Sequence, residues 1–122
     1  MTDPYADAVR IGLEVCGKLA TARIGSPVLV GVAEQTVVYP PLLLLPGTPV
    51  VELIVESAGV HVVTSRRGHY GVLTEPVLIP FPQVDRVPCL SGLSLDVWRE
   101  AVDCALTAAL TGLPARRART GP

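Results

Sequence analysis

Apolar residues recur at helical spacing near the start of the chain. They lie three or four positions apart and form one stripe: Ala6, Val9, Leu13, Cys16 and Ala20. Asp3 is placed to cap the first free N–H groups, and Pro4 suits the first helical position. The pattern predicts a helix over residues 4–22. Gly12 and Gly17 lie inside it and each costs up to about 1 kcal/mol relative to Ala, so this helix needs tertiary contacts.

A second amphipathic pattern covers the C-terminal part of the chain. Ser94 is the predicted N-cap, Asp96 lies in the first turn, and Gly112 marks the end. Arg99 and Asp103 are four residues apart and are expected to pair on the polar side. The apolar stripe of this helix comprises Leu95, Trp98, Val102, Ala105, Leu106, Ala109, Leu110 and Leu113.

Between Pro27 and Pro88, β-branched runs separated by prolines replace the helical spacing. The predicted strands are Val28–Val32, Thr36–Tyr39, Val50–Glu56, Val60–Ser65 and Tyr70–Ile79. Residues 57–59 form the turn of a hairpin between the third and fourth strands. The pattern predicts one α+β domain over 1–114, with a mainly antiparallel sheet of about five strands, one N-terminal helix and one C-terminal helix. A basic tail, 115–122, follows.

Four consecutive leucines lie in the proline-rich segment between Pro40 and Pro49. Proline donates no ladder hydrogen bond, so this segment is expected to be a sheet edge or an extended arm. Successive side chains of an extended segment point to opposite sides, and one small domain cannot bury all of them. The leucines are therefore predicted to contact another surface. They are Leu42, Leu43, Leu44 and Leu45.

The amino-acid composition also indicates that part of the surface contacts a partner. Of the 122 residues, 49% are hydrophobic and only 17% are charged, and the mean hydropathy is +0.47. Such a chain folds, but its surface has little charge to keep it monomeric. The net charge of −1 is unlike the basic footprint of a nucleic-acid-binding protein. No apolar run approaches the roughly 20 residues that span a bilayer. We expect synthesis in the cytoplasm and no membrane contact.

Few residues of the chain suggest chemistry. The three cysteines, Cys16, Cys89 and Cys104, have no metal-site or disulfide spacing and are predicted to be reduced, buried thiols. One polar turn holds the compact group Arg66, Arg67, His69 and Tyr70, which is either a binding site for a phosphate or an acidic partner, or a solvated hairpin tip. No nucleophile elbow, phosphate loop or metal-ligand spacing is present, so no cofactor or metal is expected.

The N-terminal run 4–10, Pro-Tyr-Ala-Asp-Ala-Val-Arg, is followed by Leu13 and Cys16 in the same predicted helix. This segment resembles the opening of small tail-terminator and head-to-tail joining proteins of actinobacterial siphophages. The layout of a leading helix, a sheet with hairpins and a late helix is similar too. The resemblance implies a non-enzymatic subunit that assembles into a ring at the neck or tail of a virion.

Other short segments are similar to messenger-RNA-cleaving toxins of the MazF kind. These segments are 26–30, 61–65, 84–86, 93–94 and 102–106. The resemblance implies an endoribonuclease of a toxin-antitoxin system, with Arg23 and Thr64 as the nearest candidates for catalytic roles. The chain departs from that family in its leading helix and in its lack of a basic surface.

The first hypothesis is a non-enzymatic structural subunit of a homo-oligomeric ring or lattice, a phage neck or tail component that also contacts neighbouring assembly proteins. Its location would be the virion. The alternatives are the MazF-like endoribonuclease toxin and a small host adaptor or regulatory domain. The residues expected at subunit contacts are Leu42, Leu43, Leu44, Leu45, Arg66, Arg67, His69, Tyr70, Arg116, Arg117 and Arg119. Leucines would supply buried apolar area and arginines would set orientation.

Overall fold

A computed structural model describes residues 3–23, 26–32, 35–39, 46–66 and 73–112. Two helices flank a run of strands, which confirms the predicted α+β layout. In chain order the elements are α1 (Pro4–Thr21), β1 (Val28–Val32), β2 (Gln35–Tyr39), β3 (Pro49–Glu56), β4 (Gly59–Arg66), β5 (Val77–Pro80), β6 (Gln83–Val84), β7 (Val87–Pro88) and α2 (Gly92–Thr111).

Five of the strands form one sheet in the order β2-β1-β3-β4-β5. β1 pairs antiparallel with β2 and parallel with β3, whereas β3–β4 and β4–β5 are antiparallel. The sheet is therefore mainly antiparallel, as expected, with one parallel pair at β1–β3. That pair arises because β3 joins the opposite side of β1 from β2.

Both helices pack on one face of this sheet, α1 mainly on β1 and β3, and α2 mainly on β4 and β5. The side chains between the layers are branched aliphatics at alternate strand positions, joined by the inner faces of both helices. The largest fully buried ones include Leu53, Val28, Val51, Val55, Val60, Val102 and Leu106. Trp98 is also buried, as its place in the predicted stripe requires.

The buried face of α1 is rotated from the predicted stripe. Ala6 is exposed, whereas the buried residues of this helix are Ala8, Gly12, Val15, Cys16 and Ala20. A side chain at Gly12 would place its Cβ 3.2 Å from the Phe81 ring and 3.2 Å from Val55 Cγ1. Gly12 therefore lets α1 approach the core closely. The tertiary contacts that the sequence predicted for this helix include the Phe81 and Val55 side chains beside Gly12.

Two local predictions for α2 are corrected. The N-cap of α2 is Ser91 rather than Ser94, and the Ser94 hydroxyl instead donates to the Ser91 and Cys89 carbonyls. Arg99 pairs with Asp96 at 3.7 Å and not with Asp103. Asp96 and Asp103 both lie on the same helix face as Arg99, so sequence spacing alone does not decide which carboxylate pairs with it.

The fifth strand is shorter than predicted, because Leu73 to Pro76 lie outside β5 and only Val77–Pro80 pair with β4. The small hairpin β6–β7 was not predicted. Its turn holds Asp85 at φ 53° and Arg86 at φ 67°, a left-handed conformation that favours asparagine, aspartate and glycine. Asp85 fits this preference, but Arg86 occupies the position where glycine is usual, so the pair does not predict the turn.

Candidate interaction surface

Most of the predicted contact residues lie outside the described residues. These are Leu42, Leu43, Leu44, Leu45, Arg67, His69, Tyr70, Arg116, Arg117 and Arg119. Arg66 is described: it is exposed at the end of β4, and its Nη1 donates to the Gly47 carbonyl at 3.2 Å. Because Pro49 pairs with Arg66, the residues next to the leucine run and next to the polar turn lie at the same end of the sheet.

The described surface carries large exposed apolar side chains on three successive elements, of which β5 contacts α2 whereas β7 of the hairpin contacts α1. Edge strand β5 exposes Val77 and Leu78, and hairpin β6–β7 exposes Val84 and Val87. Helix α2 exposes Leu93 at 77% and Val97 at 59%. Several large exposed apolar side chains on a small protein are typical of an interaction site.

The exposed residues of α2 were missed by sequence reasoning, which assigned this helix one apolar stripe. A second stripe is present at spacings of four, four, three and four residues: Leu93, Val97, Ala101, Cys104 and Ala108. All five residues are exposed. When a helix is apolar on two sides, one side packs on the core of its own domain and the other is available to a different surface. Testing each side of the helical wheel separately would have found it.

Arg23, a catalytic candidate under the toxin hypothesis, joins the two helices. Its Nη2 donates to Asp103 Oδ1 and to Thr107 Oγ1, the latter at 2.8 Å. Its Nε is buried and has no hydrogen-bond partner within the described part of the chain. The guanidinium therefore holds the end of α1 against α2.

Thr64, the other candidate of that hypothesis, is only 4% exposed. It lies in β4 opposite Val51 of β3, and its backbone carbonyl accepts from the Leu73 N–H at 2.8 Å. A hydroxyl buried in this position contributes to the core rather than to an open site.

Two further sets of titratable side chains lie on the described surface, the His61–Glu56 pair and a group along α2. His61 Nε2 lies 3.1 Å from Glu56 Oε2 at the β3–β4 hairpin, where both side chains reach solvent. Across the described ranges, His, Cys, Asp and Glu side chains form no cluster of three or more that could hold a metal ion. A shallow groove of about 530 Å³ between the helices is lined by Leu19, Asp96, Arg99, Glu100 and Asp103.

The cysteines differ in environment, contrary to the prediction that all are buried. Cys16 is fully buried, Cys89 is half-buried and Cys104 is exposed, and all three are free thiols. Burial raises the pKa of the Cys16 thiol to about 12, because the thiolate would lose its hydration. Cys16 is therefore inert, and Cys104 is the accessible thiol.

Among the described helices, neither is both long and apolar enough to span a bilayer. Comparison of the chain with models of known protein families, with curated proteins and with solved structures finds no match.

Proposed function

We propose that this protein is a non-enzymatic structural subunit of a homo-oligomeric assembly, a ring or lattice at the neck or tail of a phage virion. The observation that carries the proposal is the exposed apolar surface of α2, β5 and the β6–β7 hairpin, where Leu93 is 77% exposed and both Val84 and Val97 are 59% exposed. Burial of such surface against further subunits stabilises an assembly by roughly 25 cal/mol per Å².

The virion location rests on the N-terminal resemblance. The segment 4–10 that carries it forms the first turns of α1, which begins at Pro4 after the Asp3 cap. The Asp3 carboxylate accepts from the Tyr5 N–H at 2.9 Å. An N-terminal helix with this start supports the resemblance to tail-terminator and head-to-tail joining proteins. The leucine run and the three tail arginines remain part of the proposed subunit contacts, with neighbouring assembly proteins as further partners.

The test is the native mass and shape of the full chain, by size exclusion with light scattering and by negative-stain electron microscopy. The proposal predicts closed rings or regular arrays many times heavier than the 12.8 kDa chain. Replacing Leu43 and Leu45 by Asp should lower the mass, because charge then enters a buried apolar contact. The control is Val37→Asp in β2, an exposed valine that lies outside both the leucine run and the apolar surface of α2, β5 and the β6–β7 hairpin. A wild-type protein that stays monomeric at high micromolar concentration would refute the proposal.

A further inference from the structure

Helix α2 carries two apolar faces that point in different directions. One face packs on the sheet through Trp98, Val102 and Leu106, none of which is more than 4% exposed. The second, which we call the outer stripe, is defined by Leu93, Val97, Ala101, Cys104 and Ala108, all exposed. At a rise of 1.5 Å per residue, it extends over about 22 Å.

No described residue covers the outer stripe. The side of α2 next to α1 is polar: Asp103 and Thr107 face Arg23 there. At 100° per residue, the stripe is centred about 140° from the face that packs on the sheet and about 100° from that polar flank, so it points away from the sheet and to the side of α1. The stripe is thus directed outward from both layers of the domain.

We propose that the outer stripe pairs with the same stripe of a second copy of this chain, with the two α2 helices antiparallel. This inference rests on the proposed function and deepens it by naming the first contact of the assembly. The pairing is two-fold symmetric, so the same patch serves both subunits and the contact closes at two copies. Larger assembly then proceeds from such pairs through other surfaces.

Side-chain size along the stripe favours the antiparallel orientation. The larger residues, Leu93 and Val97, lie in its N-terminal half, and alanine and cysteine fill its C-terminal half. In an antiparallel pair Val97 lies opposite Ala108, and Ala101 lies opposite Cys104, so each large side chain meets a small one. Small residues near the centre allow the two helices to approach closely. A parallel pair would set large against large and leave the C-terminal half loosely packed.

Charge along α2 favours the same orientation. The carboxylates of Asp96 and Glu100 flank the N-terminal half, whereas residues 104–115 contain no charged side chain. A parallel pair would bring Glu100 of one subunit beside Glu100 of the other, a like-charge contact. In the antiparallel pair each acidic half lies beside the uncharged half of its partner.

The orientation is tested by cross-linking in a Cys89→Ser, Cys104→Ser background, which leaves only the buried Cys16. Val97→Cys and Ala108→Cys proteins are unfolded together, refolded together and treated with a short bis-maleimide. The pairing predicts a cross-linked dimer that contains one Val97→Cys and one Ala108→Cys chain. Cross-links of either variant to itself should be absent, because like positions are about 16 Å apart along the axis. Self-linked Val97→Cys dimers, or no cross-link, would overturn the antiparallel pair.

The contact itself is tested by Val97→Glu, with Val37→Glu in β2 as a matched control, since these valines are 59% and 53% exposed. Light scattering should show at least a twofold lower mass for Val97→Glu and the wild-type mass for Val37→Glu. If Val97→Glu keeps the full assembly mass, the α2 pair is refuted and the proposed function stands. If the wild type is monomeric, both are refuted.

Discussion

The indole of Trp98 and the ring of Phe81 lie with their centroids 5.2 Å apart and their planes tilted by 48°. The indole Nε1–H also donates to the Ile79 carbonyl at 3.4 Å, so α2 is joined both to β5 and to the chain that follows it. Phe81 in turn packs against α1 at Gly12. This aromatic pair therefore joins both helices and the edge strand.

Replacing Phe81 by Leu should lower the free energy of unfolding by roughly 1–2 kcal/mol, because it removes the ring contact and leaves space beside Trp98. Trp98 is the single tryptophan of the chain, so its fluorescence reports directly on the site, and a red shift is expected in the folded variant. Urea unfolding followed by that fluorescence measures both effects. An unchanged emission maximum would show that the two rings do not pack together in solution.

Gly12→Ala should destabilise the protein by about 1 kcal/mol, although alanine is the better helix former by a similar amount. The added Cβ meets Phe81 and Val55 at 3.2 Å, and both are at least 97% buried, so neither can move away freely. The measurement is a double-mutant cycle with Val55→Ala, which removes one of the two obstacles. Gly12→Ala should be markedly less harmful in that background, and strict additivity would argue against the close approach.

Arg23→Ala should cost about 1 kcal/mol of stability, since its partly exposed ion pair with Asp103 and its bond to Thr107 connect the two helices. The matched control is Arg99→Ala, because the Arg99–Asp96 pair is more exposed and should contribute little. Thermal unfolding compares the two. Neither the wild type nor Arg23→Ala should cut RNA. Wild-type cleavage that disappears in Arg23→Ala would favour the ribonuclease hypothesis instead.

Cys16 should make stability fall at alkaline pH. Its folded pKa is raised from 9.0 to about 12, so between these values the unfolded chain loses the proton that the folded chain keeps. The stabilisation is complete below pH 9 and declines above it, by up to about 1.4 kcal/mol per pH unit. Denaturant titrations from pH 8 to 10.5 should show a shallower decline for Cys16→Ala than for the wild type. Equal slopes would contradict a buried neutral thiol.

Much of the fold could be predicted from the local sequence pattern, and each difference between prediction and structure has a physical cause. The bounds of β1, β3 and β4 were predicted to within one or two residues, because β-branched runs bounded by proline and glycine are compatible with few structures other than strands. The parallel β1–β3 pair depends on where the chain returns after β2, which periodicity does not encode. The N-cap of α2 was missed because Ser91 and Ser94 have the same chemistry and only the path of the incoming chain separates them.

The presence of exposed apolar surface could be predicted from the composition, whereas the exposed stripe on α2 could not be located by assigning that helix a single apolar face. Composition indicated exposed apolar surface, and the leucine run drew the prediction to residues 42–45. The outer stripe was not predicted because its alanines and its cysteine do not individually indicate an interface. Only their exposure beside Leu93 and Val97 shows that the helix has a second apolar face.

Native mass spectrometry of the wild-type chain over a range of concentrations tests the central claim most directly. The account predicts a discrete homo-oligomer containing an even number of 12.8 kDa chains, with dimers as the smallest species on dilution. A single species of 12.8 kDa at every concentration would contradict it.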